Sequence, residues 1–312
     1  MQFASEVNIV EVGPRDGLQN EKKHVSTADK VRFIEAIAAS GMPKIEITSF
    51  VSPKWIPQLA DGLEVAAQLH LPPQTKTLAL VPNMKGYESA QKANLPEVAF
   101  FLSATESHSK KNINKSIAEA VVALKEVADA AKADKRRIRC YVSVVFVCPY
   151  EGKVAPQAVA NVVRQLLAIG VDEISLGDTI GAATPTDVVS MIKLLSQDVN
   201  VDKLALHFHD TRGTALANVL AGLDSGVTTF DSSLGGLGGC PYAPGAAGNL
   251  ATEDLVYMLH GMGINTGVDL EKLVDAGALM QGILGEKLPG RYLQAALATR
   301  SKALAANRSY RV

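Results

Sequence analysis

Eight short β-rich runs recur along the 312-residue chain, and stretches with helical periodicity lie between them. This alternation limits the fold more than any other feature, because parallel neighbouring strands need crossover connections and antiparallel ones need only hairpins. The runs are Val7–Val12, Lys44–Thr48, Thr75–Val81, Glu97–Leu102, Ile138–Val145, Val171–Leu176, Lys203–Phe208 and Val227–Phe230. Each is bounded by Gly, Pro, Asp, Asn or Ser, residues that end strands. Between runs, Ile117, Val121, Leu124, Ala128 and Ala131 fall on one helix face. Ser26 is placed to cap a helix carrying Val31, Ile34 and Ile37, with Asp29 in its first turn and Gly41 beyond its end. Thr184-Pro185 is a second helix start, and Leu216, Leu220 and Leu223 repeat the apolar spacing after the seventh run. Eight such units predict an α/β fold, a closed (β/α)8 TIM barrel over residues 7–260, an architecture of about 250 residues. Residues 261–312 are expected as additional C-terminal helices packed on the barrel, all within a single domain 1–312. An open doubly wound sheet is the alternative that periodicity leaves standing.

Composition narrows the function classes. Lys and Arg number 31 against 32 Asp and Glu, a net charge of −1, so nothing favours nucleic acid or an anionic membrane as partner. Hydrophobic residues at 47% and charged residues at 20% fit a globular chain rather than a disordered one. No apolar run nears the roughly 18–20 residues that span a bilayer; the longest, around Cys140–Cys148, is strand-length. The opening MQFASEVNIV lacks the basic-then-apolar pattern of a secretion signal. Three cysteines do not make a disulfide framework and have no zinc-type spacing, so a reducing, cytoplasmic location is expected.

In such barrels reactive groups sit at the C-terminal ends of strands. The first run ends in Glu11-Val12-Gly13-Pro14-Arg15-Asp16-Gly17, the second carries Glu46 and Ser49, and the sixth leads into Gly177-Asp178-Thr179. The seventh is Leu206-His207-Phe208-His209-Asp210, and the eighth passes through Asp231 toward a glycine-rich segment and Asn249. His207 and His209 are two apart, so on a strand they share a face and can ligate one metal; locally bonded histidines are the plainer reading. Asp16 is the natural carboxylate partner, unless it serves only as a turn residue before Gly17. Asn249 could add an amide oxygen, or cap the helix beginning at Thr252. This mixed oxygen and nitrogen set suits Mg²⁺ or Mn²⁺, with Zn²⁺ the competitor on ligand type. It also resembles the facial triad of non-haem iron oxygenases. Arg15 could place a fixed positive charge beside the ion, or form a structural ion pair. Six glycines among the fourteen residues Gly235–Gly248 read as a loop or lid, within which Cys240 is an exposed, reactive cysteine or a small loop residue.

In these residues the sequence resembles the 3-hydroxy-3-methylglutaryl-CoA lyase family, metal-dependent carbon–carbon lyases built on TIM barrels. The resemblance runs from about Val7 to Leu273. It rests on Glu11 to Glu21 (EVGPRDGLQNE), Thr48 to Lys54 (TSFVSPK), Lys110 to Asn114 (KKNIN), Cys148 to Lys153 (CPYEGK), Ser175 to Gly181 (SLGDTIG), Gly236 to Tyr242 (GLGGCPY) and Gly248 to Asp254 (GNLATED). It implies cleavage of 3-hydroxy-3-methylglutaryl-CoA to acetyl-CoA and acetoacetate, as in leucine catabolism and ketone body formation, by a homodimer. It implies that Asp16, His207, His209 and Asn249 ligate the metal. By the same resemblance Arg15 contacts the thioester carbonyl, Cys240 is the active-site loop cysteine, and Glu46 and Asp178 line the substrate pocket. The loop departs from the family pattern at Leu234-Gly235, where Val-Ala is common, and the segment after Gly282 matches no motif of the family.

Cleavage by such a family requires loss of the tertiary hydroxyl proton, collapse to a ketone, and protonation of the released thioester enolate. His207 or Cys240 could supply that proton, and Asp16, Glu46 or Asp178 could take the hydroxyl proton. Lys110, Lys111 and Asn112 could meet CoA phosphates, although a solvated helix start explains them more simply. Four other readings compete: a lyase for a longer-branched 3-hydroxy-3-alkylglutaryl-CoA, a condensing synthase, an iron oxygenase, and a non-catalytic metal-binding barrel. The synthase is disfavoured by Asp210 after His209 and by the little chain left for a regulatory domain.

Overall fold

A computed structural model describes residues 3–239 and 248–309. At its centre are eight strands: β1 Asn8–Glu11, β2 Lys44–Ser49, β3 Lys76–Leu80, β4 Glu97–Ser103, β5 Arg137–Ser143, β6 Glu173–Asp178, β7 Leu204–Phe208 and β8 Thr229–Ser232. Neighbours are parallel throughout, and β1 pairs with β8 from Asn8–Thr229 to Glu11–Ser232, which closes the ring. Closure excludes the open sheet. A small hairpin, Val147–Cys148 with Gly152–Lys153, lies outside the ring.

The apolar runs mark all eight strands, with three informative differences at the ends. β6 and β8 continue past Leu176 and Phe230 to Asp178 and Ser232, because polar residues carry on the ladder where apolar patterning has stopped. β5 ends at Ser143 rather than Val145, since Val144 turns out of the strand with a φ of 56°.

Helix boundaries follow the capping chemistry. The Ser26 hydroxyl accepts from the Asp29 N–H at 3.1 Å and starts the helix Thr27–Ala39. Ser116 and Glu119 form a reciprocal capping box on Ile117–Ala133, which buries Ile117, Leu124, Ala128 and Ala131 and adds Ala120 and Val127. Thr184 and Asp187 do the same for Pro185–Leu195. The helix Ala215–Asp224 corrects the expected stripe: Leu216 and Leu220 sit at the edge, while Ala215, Asn218, Val219, Gly222 and Leu223 face inward. Small side chains on that face let the helix lie close to the strands.

Two apolar clusters result from the alternation of side chains along each strand. The larger fills the layer between the outer strand faces and the helices; the smaller, with Val10, Val12, Leu78, Leu80, Ala99 and Tyr141, fills the interior of the ring. Nearer the strand starts, the interior is charged: Lys44 Nζ lies 2.9 Å from Glu97 and Arg139 Nε lies 3.0 Å from Glu173. The helix Thr252–Gly261 completes the eighth unit, and Leu270–Leu284 packs on Thr27–Ala39. The last helix, Arg291–Ser309, lies against both of the preceding helices. Among the described residues, no helix is long and apolar enough to cross a membrane.

The contact between the first helix and the C-terminal extension passes through Gly41, whose φ is 88° and where an added Cβ would lie 2.5 Å from the Gly267 carbonyl oxygen. Gly41→Ala is expected to cost about 1–3 kcal/mol, seen as a lower urea midpoint, because left-handed backbone and a backbone clash act together. A wild-type midpoint would show that this junction is not tightly packed.

Candidate active site

The site is built at the end of β1. After Glu11 the chain makes a wide turn over Gly13–Gly17, in which the N–H groups of Asp16 and Gly17 both reach the Val12 carbonyl, at 2.7 and 3.3 Å. The turn directs Arg15 and Asp16 over the ring. Arg15 is buried; its Nε donates to Glu46 Oε2 at 2.7 Å and its Nη1 donates to Asp16 Oδ1 at 2.6 Å. Its guanidinium also lies 5.1 Å from the centre of the Tyr141 ring, and the Tyr141 hydroxyl donates to Glu46 Oε2 at 3.0 Å. β2 has a register shift between Glu46 and Thr48, a bulge of the kind often found beside active sites.

Charge at this place is set by burial and pairing. Burial works against the Arg15 charge, but Glu46 and Asp16 outweigh it and hold the guanidinium firmly protonated. Burial also works against the Asp16 carboxylate, and Arg15, His207 and His209 overcome it and keep Asp16 well below the usual carboxylate range. For Glu46 burial wins over the help from Arg15, and its pKa is raised.

His207 and His209 lie at the end of β7 with ring centres 5.3 Å apart, which is the shared face expected of residues i and i+2. His207 Nε2 lies 3.9 Å from Asp16 Oδ2, and its Nδ1 lies 3.3 Å from Asp231 Oδ2. Burial and the neighbouring His207 charge lower the His209 pKa to about 4, so its ring is neutral and open to a cation. Asn249 bridges the eighth unit to the first: its Nδ2 donates to Asp16 Oδ2 at 2.9 Å and to the Leu237 carbonyl at 3.0 Å. It does not cap the following helix, whose N-cap is Ala251.

One donor atom each from Asp16, His207 and His209 lies within 4.8 Å of the others, close enough to share one ion. Two further observations fit a cation. The Asn249 Oδ1 and His209 Nδ1 atoms are buried and have no hydrogen-bond partner, a costly state that an ion would relieve. An acidic oxygen, two imidazoles and an amide oxygen form an open, mixed donor set.

Other expected site residues behave differently. Asp178 reaches the end of β6, but its two oxygens accept from the Ala182 and Ala183 N–H groups at 2.9 Å each, so it shapes a loop. Cys240 lies outside the described residues. Lys110, Lys111 and Asn112 are exposed, and they occupy the last turn of Glu106–Ile113 rather than a helix start; the carbonyl end of a helix favours such cations. Gly238 carries a φ of 99°, and a Cβ there would lie 2.7 Å from Asn249 Nδ2, so the glycine lets the backbone pass close beside Asn249.

Sequence reasoning missed Tyr141, Arg139, Glu11 and Glu253, and it passed over Asp231. Glu11 accepts from the Gly13 and Leu234 N–H groups and the Thr252 hydroxyl, and Glu253 accepts from the Gly235 N–H, so both hold the base of the glycine-rich segment. Burial pushes Glu11 up to about 7 and Glu253 to about 8. The available signal was parity: Arg139 and Tyr141 are two apart on β5 and face inward together.

The HMGL-like family profile matches residues 6–280. The chain is 51% identical over 293 residues to the mitochondrial hydroxymethylglutaryl-CoA lyase of Bos taurus, covering 94% of this chain and 90% of that one. It is 47% identical to the 3-hydroxy-3-isohexenylglutaryl-CoA/hydroxymethylglutaryl-CoA lyase of Pseudomonas aeruginosa, over 96% of this chain and 99% of the relative. The crystal structure of the Bacillus subtilis HMG-CoA lyase superposes with a TM-score of 0.93 at 48% identity, covering 95% of this chain and 99% of that one. The fold, the converging polar groups and these likenesses agree: the chain belongs to the HMGL-like family, that of the hydroxymethylglutaryl-CoA lyases.

Proposed function

We propose that this chain cleaves 3-hydroxy-3-methylglutaryl-CoA to acetyl-CoA and acetoacetate, at a site formed by Arg15, Asp16, Glu46, His207, His209 and Asn249 with Cys240 on the covering loop. The observation that carries the reading is the gathering of Asp16, His207 and His209 donors within 4.8 Å beside the buried Arg15 guanidinium. Asp16, His207, His209 and the Asn249 amide oxygen would hold a divalent ion, Mg²⁺ or Mn²⁺ in preference to Zn²⁺. When bound, such an ion acidifies and orients a hydroxyl that chelates it.

The reaction breaks the bond between the tertiary carbinol carbon and the thioester α-carbon. The hydroxyl loses its proton, its oxygen becomes the ketone of acetoacetate, and the bonding pair passes into a thioester enolate. Arg15 is suited to that enolate oxygen. Among the described residues only Glu46 and Asp16 accept from its five N–H groups, so the others remain for the substrate. Glu46 holds Arg15 through Oε2, while its Oε1 is buried without a partner; that favours Glu46 over Asp178 as the group taking the hydroxyl proton. Asp16, kept ionised by Arg15, is a poor base. His207 is poorly placed as the final acid, since one ring nitrogen faces Asp16 and the other Asp231. Cys240 is therefore assigned the proton that the enolate carbon receives. Closure of the glycine-rich segment would keep water from that carbon.

A longer-branched substrate is the second reading, favoured by the name of the Pseudomonas relative. We place the protein in the cytoplasm as a single folded unit, supported by Cys140 and Cys148, which are free and buried.

Dialysis against EDTA is expected to abolish acetoacetate release from 3-hydroxy-3-methylglutaryl-CoA, with recovery on adding Mg²⁺ or Mn²⁺; full activity after exhaustive chelation would reject the metal role. Arg15→Met is expected to lower kcat by about 10²–10³-fold, the usual effect of removing an oxyanion donor, with Mn²⁺ affinity little changed. Normal turnover in that variant would remove Arg15 from the chemistry. Comparing kcat/KM for the methyl and isohexenyl substrates tests the branch: the methyl compound should be turned over better, and a preference for isohexenyl would select the second reading.

A further inference from the structure

Among the described residues, Asp231 is a carboxylate inside the ring that three other strands address together. Its Oδ1 accepts from Arg139 Nη2 on β5 at 2.5 Å, its Oδ2 accepts from the Ser175 hydroxyl on β6 at 2.7 Å, and His207 Nδ1 on β7 lies 3.3 Å from the same Oδ2. The side chains of Arg139 and Asp231 are both fully buried.

A buried arginine and carboxylate reach their strongest arrangement as a bidentate fork, with two parallel N–H···O bonds. This pair does not adopt it. Asp231 gives Arg139 only one oxygen, Arg139 Nη1 is left without a partner, and the second oxygen is turned toward His207. Arg139 is itself fixed from behind, by Glu173 at 3.0 Å and by the Tyr141 ring, whose centre is 5.0 Å from the guanidinium. The arrangement gives up part of an ion pair and gains a carboxylate aimed at one imidazole nitrogen. Neither Nδ1 makes an aligned hydrogen bond, but that of His207 lies 3.3 Å from a carboxylate oxygen, and His209 has no carboxylate recorded against its Nδ1.

We propose that Asp231 is a positioning residue for His207: it holds the Nδ1 edge of the ring, with Arg139 and Ser175 holding Asp231, so that Nε2 points to Asp16. This rests on the reading of Asp16, His207 and His209 as an ion site. An outer carboxylate of this kind fixes the orientation of a ligating imidazole, and its loss costs metal affinity without touching the ion.

The test is Mn²⁺ binding to the full chain, followed by the EPR signal of free Mn²⁺, with circular dichroism to confirm folding. Asp231→Asn should weaken Mn²⁺ binding about 10–100-fold. In a His207→Ala background the same substitution should change affinity by no more than about twofold, because the ring it acts through is gone. An equal loss in both backgrounds, or no loss in either, would overturn the proposal. Should Asp231→Asn fail to fold, Ser175→Ala removes one bond to the same oxygen without changing charge. A several-fold loss that vanishes with His207→Ala then supports the role, and no loss overturns it. A wild-type chain that binds no Mn²⁺ would overturn the ion site itself; wild-type binding without coupling to His207 would overturn only Asp231.

Discussion

Charge enclosed within a ring of parallel strands is the constraint on which this structure depends. A buried ion without a partner costs several kcal/mol, so each ionised group in the interior must be matched. At the strand starts, Lys44 meets Glu97 and Arg139 meets Glu173. At mid-height Arg139 also meets Asp231, and at the mouth Arg15 meets both Glu46 and Asp16. At the mouth, Asn249 Oδ1, His209 Nδ1 and Glu46 Oε1 remain buried without hydrogen-bond partners. These three acceptors lie where substrate and ion would enter.

The same matching explains how the framework serves the site. The wide turn after β1 carries Arg15 and Asp16, the end of β7 carries both histidines, and the segment after β8 returns Asn249 to Asp16. These elements converge only through ring closure, because β1 and β8 become neighbours only when the sheet joins its own edge. Glu11 and Glu253, on the outer side of that seam, hold the start of the glycine-rich segment by backbone N–H groups. The start of that segment and the site side chains are therefore anchored on one junction.

Much of this was legible in the chain itself. Apolar runs bounded by turn residues marked every strand of the ring, and the two-residue spacing of His207 and His209 put their rings on a common face. The glycines near Cys240 signalled backbone that must pass close to something, which Gly238 does against Asn249. Legibility failed where polar residues sit on strands. β8 reads Thr229-Phe230-Asp231-Ser232, and apolar patterning stops at Phe230, so Asp231 looked like loop. Arg139 and Asp231 are separated by 92 positions, and only the closed ring brings them together. Asn249 was ambiguous for another reason: an amide two residues before a helix cap has the same local sequence whether it caps or reaches across to Asp16. The stripe of Leu216 and Leu220 misled because small residues, rather than large ones, allow a helix to approach a sheet closely.

The central claim is that one dication is shared by four side chains from three separate parts of the chain. Diffraction from crystals soaked with Mn²⁺, recorded at the manganese absorption edge, tests it most directly. One strong anomalous peak is expected within coordination distance of Asp16, His207, His209 and the Asn249 amide oxygen. A peak elsewhere, or four donors that stay too far apart to reach a common ion, would contradict it.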